Sequence, residues 1–68
     1  MAKWLKVFFS DSRHRAEIVK SVLEDNDLNP VIVNKKDTAY HIGHYEIYVG
    51  PEDVLKAIKI IKDDIRFE

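Results

Sequence analysis

Residues 31–53 read Val31-Ile32-Val33-Asn34-Lys35-Lys36-Asp37-Thr38-Ala39-Tyr40-His41-Ile42-Gly43-His44-Tyr45-Glu46-Ile47-Tyr48-Val49-Gly50-Pro51-Glu52-Asp53. Two strands and a helix start are written in this stretch. Val31-Ile32-Val33 is β-branched throughout, which suits a strand. Tyr45-Glu46-Ile47-Tyr48-Val49 alternates, with Tyr45, Ile47 and Val49 on one face and Glu46 and Tyr48 on the other. Gly50-Pro51-Glu52-Asp53 opens a helix. Proline fits a first turn, where its missing N–H had no partner, and two acids complement the helix dipole. Residues 34–44 show no clear period and are long for a hairpin connection, so they are expected to form a polar loop.

Upstream, residues 4–10 form an aromatic-rich strand. Regular alternation would put Leu5, Val7 and Phe9 on one face and Trp4, Lys6 and Phe8 on the other. Ser12 caps a helix that runs to about Asp25, with Ala16, Ile18, Val19, Val22 and Leu23 as its apolar stripe. Asn26 is expected to take the left-handed conformation that stops it. Downstream, Val54, Ala57, Ile58, Ile61 and Ile65 form the stripe of a second helix, with Leu55 at its margin and Ile60 expected outside. Arg66-Phe67-Glu68 reads as a scrap of strand or a frayed end.

The order β-α-β-β-α constrains the assembly. Strands joined by a helix run parallel with a right-handed crossover, and the third strand then fits between the first two. The expected architecture is one α+β domain over residues 1–68: a ferredoxin-like split βαβ with its last strand short or missing. Two helices cover one face of a mostly antiparallel sheet. The first strand is then an exposed edge. The open face is expected to carry Trp4, Phe8, Ile32 and Tyr48, an apolar surface of the kind that marks an interface or ligand platform.

Composition sets outer limits. A 68-residue chain without cysteine has no disulfide framework and no Cys-based metal or redox site. Eleven Lys and Arg against twelve Asp and Glu give a net charge of −1. That lacks the basic footprint of a duplex-DNA or anionic-membrane binder. Lys6 interrupts the apolar run at the N-terminus, so neither a secretory h-region nor a membrane span is read there. A cytoplasmic location is expected.

The run Asn34-Lys35-Lys36-Asp37-Thr38-Ala39-Tyr40 is the most specific piece of a wider pattern. It is joined by Ala16-Glu17-Ile18, Leu23, Val31-Ile32-Val33, Tyr45-Glu46-Ile47-Tyr48-Val49 and Glu52-Asp53. With these residues the chain, from about Lys6 to Ile61, resembles a small prokaryotic family described as signal-transducing proteins of unknown function. That family is related in fold to the nitrogen-regulatory PII proteins. The resemblance implies the ferredoxin-like fold and a regulatory or binding role, with no catalytic residues and no cofactor. In PII proteins the connection between strands 2 and 3 docks onto target proteins. Here the same slot holds residues 34–44, so Asn34, Lys35, Lys36, Asp37, Thr38, Tyr40 and His41 are the expected contact residues for a protein partner or small-molecule effector.

Other constellations are weaker. Arg13, His14 and Arg15 at a helix start, together with Lys35 and Lys36, could receive an anion. His41 and His44 with His14 and Asp37 lack a recognised ligand spacing, so no metal is expected. There is no nucleophile motif or Gly-rich phosphate loop, and the chain reads as a non-enzyme. Phe8 and Tyr48 on neighbouring strands suggest a single-stranded RNA platform as an alternative. Against it stand Glu46, which would repel phosphate, the net charge, and the missing Lys/Arg-Gly-aromatic signature. Nucleic acid is therefore disfavoured, and burial of the open face in a homo-oligomer is the plainer alternative.

Overall fold

A computed structural model describes residues 3–37 and 42–64. Its elements are β1 (Leu5–Ser10), α1 (Arg13–Asp25), β2 (Val31–Asp37), β3 (Ile42–Val49), a short 3₁₀ turn (Pro51–Asp53) and α2 (Val54–Asp64). The strands make one antiparallel sheet in the order β1-β3-β2. The α+β class, the element order and the central place of the third strand are as the sequence predicts.

The core lies between the sheet and the helices. Ala16, Val19 and Leu23 of α1, Ile47 and Val49 of β3, and Ala57 and Ile60 of α2 are buried in one cluster with Leu28. Both helices therefore cover the same face. The ends of α1 are closed by local chemistry. The Ser12 hydroxyl accepts from the Arg15 N–H at 3.3 Å, satisfying one orphan donor of the first turn. At the other end, the Leu28 N–H donates to the Leu23 carbonyl and the Asp27 N–H to the Glu24 carbonyl. This is a Schellman closure, with the buried Leu23 and Leu28 as its apolar contact. Asp27, not Asn26, holds the left-handed position, at φ 65°. Asn26 instead uses its side-chain amide to donate to the Val22 carbonyl at 2.8 Å.

Four other expectations are corrected. Residues 34–37 and 42–44 are not loop. They are paired arms of a long hairpin, with Asn34 opposite Tyr45, Lys35 opposite His44, Lys36 opposite Gly43 and Asp37 opposite Ile42. Pairing to the central strand overrides the low strand preference of Asn, Lys and Asp. Thr38, Ala39, Tyr40 and His41 lie outside the described residues. In α2, Ile60 is buried while Ile58 is 46% exposed, the reverse of expectation. Both residues flank the Val54–Ala57–Ile61 stripe, and packing of α2 against α1 and β1 selects the Ile60 side.

The third and fourth corrections concern the sheet faces. Ile32 opposes Ile47 and packs against the core, so it does not belong to the open face. Phe8 also turns inward. The register of β1 slips between Lys6, opposite Tyr48, and Phe8, opposite Ile47. Val7 is the extra residue of this β-bulge, and every side chain after it changes face. Phe8 therefore packs on the core, and Phe9, opposite Glu46, comes to the open side with 57% of its surface exposed.

Candidate functional site

The open face is built by three alternations. Strand β3 contributes His44, Glu46 and Tyr48, β2 contributes Val31, Val33 and Lys35 opposite them, and β1 contributes Lys6 and Phe9 across the bulge. Trp4 joins at the start of β1. Trp4 and Tyr48 are thus where the sequence places them, and Lys35 of the expected loop comes to the same face.

Glu46 is at the centre, and it is only 7% exposed although neither described helix covers this side. Its carboxylate is fully engaged. The Tyr48 hydroxyl donates to Oε1 at 2.6 Å, a short charge-assisted bond. His44 Nε2 lies 3.0 Å from Oε2, and Lys6 Nζ 3.6 Å from the same oxygen. The bond from Tyr48 holds the Glu46 carboxyl below its ordinary value. Burial opposes this, while His44, Lys6 and Lys35 reinforce it. The same bond raises the Tyr48 phenol above its ordinary value, since losing its proton would break the bond and set an anion beside a carboxylate. Near neutral pH, Glu46 stays ionised and Tyr48 stays protonated. The pair supplies a fixed charge and a fixed donor, and neither group is poised to exchange a proton.

Aromatic and apolar groups surround this network. The Phe9 and His44 rings are tilted at 44° with centroids 4.8 Å apart, and Lys6 Nζ lies 5.9 Å from the Phe9 centroid. Trp4, Val31, Val33 and Tyr48 line an open groove of about 410 Å³. Trp4 is 52% exposed. Among the described side chains of this face, Lys6 and Lys35 are cationic and Glu46 is the one acid.

The remaining sequence candidates are elsewhere. Arg13, Glu17, Ile32, Asn34 and Tyr45 line a second cavity of about 370 Å³ on the helical side. Arg13 pairs with Glu17 at 3.3 Å, and His14 and Arg15 are exposed on the first turn of α1. Lys35 and Arg13 lie on opposite faces of β2, so the structure does not gather them into one anion site. Among the described residues no three His, Asp or Glu side chains cluster as metal ligands. No described helix is long and apolar enough to cross a membrane.

Sequence reasoning did not name Phe9, Glu46, Val31 or Val33 as site residues, though it set Lys6 on the face of Trp4 and His44 within the 34–44 stretch. The period-two spacing of His44, Glu46 and Tyr48 was the available signal for β3. Nothing comparable marks the bulge in β1. No protein-family model, curated protein or solved structure matches this chain.

Proposed function

We propose that this chain is a small regulatory binding module, acting in the cytoplasm as a binder and not an enzyme, with the open face of its sheet as contact surface. In this reading the architecture is ferredoxin-like with a reduced last strand, as in the PII-like signal-transducing family that the sequence resembles. The surface continues along the paired arms of the β2–β3 hairpin, where Lys35 and His44 face each other.

The observation that supports this reading is the contrast within one face. A satisfied, nearly inaccessible carboxylate shares this face with two aromatic side chains, Trp4 and Phe9, that are more than half exposed. Exposed aromatic surface of this kind costs solubility and is found where something else covers it. Burying it needs no new partner for Glu46, because Tyr48, His44 and Lys6 already engage that charge.

A screen of aromatic fragments by 15N-resolved NMR tests the proposal. Shift changes should gather at Trp4, Phe9, Val31 and Tyr48. Hits confined to the Arg13–Glu17–Asn34 cavity on the helical side would contradict it.

A further inference from the structure

We infer that the open sheet face takes single-stranded nucleic acid, its bases stacking on Phe9 and Trp4 and its phosphates lying beside Lys6 and Lys35. This rests on the reading of that face as the contact surface and names what it contacts.

Three observations carry the inference. The first is the stacking surface. Phe9 and Trp4 are exposed on the same side of β1, and at about 3.3 Å per residue they stand roughly 13–16 Å apart. That separation accommodates a short run of nucleotides lying along the strand. Base–aromatic stacking is tolerant of sequence, so no base-reading signature is required.

The second is charge. Glu46 is the acid that would repel phosphate from this face. Its carboxylate lies on the open side but is covered by its partners, bonded by Tyr48 and His44 and neighboured by Lys6, so little of it is open to direct contact with a phosphate. Lys6 is about half exposed and Lys35 is exposed. In the helical layer Glu17, Glu24, Asp25, Glu52, Asp53 and Asp63 are matched by Arg13, Arg15, Lys20, Lys56, Lys59 and Lys62, whereas the open face sets Lys6 and Lys35 against Glu46. A net charge of −1 therefore does not describe the face.

The third is the poor fit of the face to a second copy of itself. A twofold contact across this face would bring its excess of cations, Lys6 and Lys35 against Glu46, up to the same excess on the second copy. A polyanion with flat apolar bases matches the lysines and the aromatics together.

The test uses the chain's single tryptophan, which lies in the groove. Fluorescein-labelled U12 and dT12 are titrated with the intact protein, following label anisotropy and Trp4 emission. Anisotropy should rise and Trp4 should quench, with affinity falling as salt is raised. A preference for U12 would assign the site to RNA and a preference for dT12 to DNA. Phe9→Ala should weaken binding roughly 5- to 150-fold, the loss of one stacked base, and Phe9→Tyr should restore it. Lys35→Gln should lower the log–log salt slope by about 0.7.

No binding of either oligonucleotide at millimolar protein would overturn the inference. So would binding indifferent to both Phe9→Ala and Lys35→Gln. Trp4 quenching that follows protein concentration without oligonucleotide would overturn it in favour of a second copy. If oligonucleotides fail while fragments still map to Trp4 and Phe9, the contact surface stands and only its ligand class falls. If the fragments go to the helical side, both fall.

Discussion

Phe8→Ala should destabilise the fold by about 2–4 kcal/mol, whereas Phe9→Ala should cost less than about 1 kcal/mol. The two residues are neighbours with the same side chain, and only the bulge at Val7 separates their fates. Opposite Ile47, Phe8 packs against the buried core cluster, and its removal leaves a cavity there. It is half-buried, so the cost falls somewhat short of a full core phenylalanine. Phe9 opposes Glu46 and is 57% exposed. Urea denaturation of the two variants measures the difference. Equal costs, or a larger cost at Phe9, would mean that β1 runs in regular alternation without the bulge.

Leu23→Ala should be more damaging still, at about 2–5 kcal/mol. Leu23 is fully buried and belongs to the central cluster, and its carbonyl accepts the Leu28 N–H that closes α1. A domain of this length holds roughly 3–10 kcal/mol in total. The variant should lose between about a fifth of that stability and all of it. Thermal denaturation followed by circular dichroism should show a fall in Tm of at least about 8 °C. A fall of only a few degrees would mean that α1 does not seat Leu23 between the sheet and α2.

The elements were legible in the sequence; the sheet faces were less so. Alternation in Tyr45–Val49 located β3 and both of its faces, because polar and apolar residues take turns there. In β1, Lys6 is the sole polar residue between Trp4 and Phe9, so hydropathy does not distinguish regular alternation from a bulge. No glycine marks the slip. In β2, Val31, Ile32 and Val33 are all apolar, and Ile32 turns inward only because its register places it opposite Ile47. The hairpin arms were hidden by Asn34, Lys35, Lys36 and Asp37, whose weak strand preference yields to pairing with β3. In α2, Ile58 and Ile60 flank the same stripe, and contact with α1 decides between them. The open face was half legible. Alternation places Trp4 and Tyr48 on it, but its polar centre depends on three strands meeting at Glu46, which no local pattern encodes.

That centre also fixes the acid and alkaline limits of the face. Glu46 is depressed in the folded chain, so its contribution to stability is present above the unfolded value near 4.5 and is lost as pH falls through the folded value. Tyr48 is raised, so its contribution is full below about pH 10 and is lost as pH rises through the folded value. Between these limits the network should be insensitive to the titration of either group.

The most direct test of the account is a 13C NMR pH titration of the Glu46 side-chain carboxyl in the native protein and in Tyr48→Phe. An open face organised on a sequestered, ionised Glu46 predicts a midpoint below 4.5 in the native protein and an upward move when the Tyr48 hydroxyl is removed. A native midpoint at or above 4.5, unmoved by Tyr48→Phe, would contradict it.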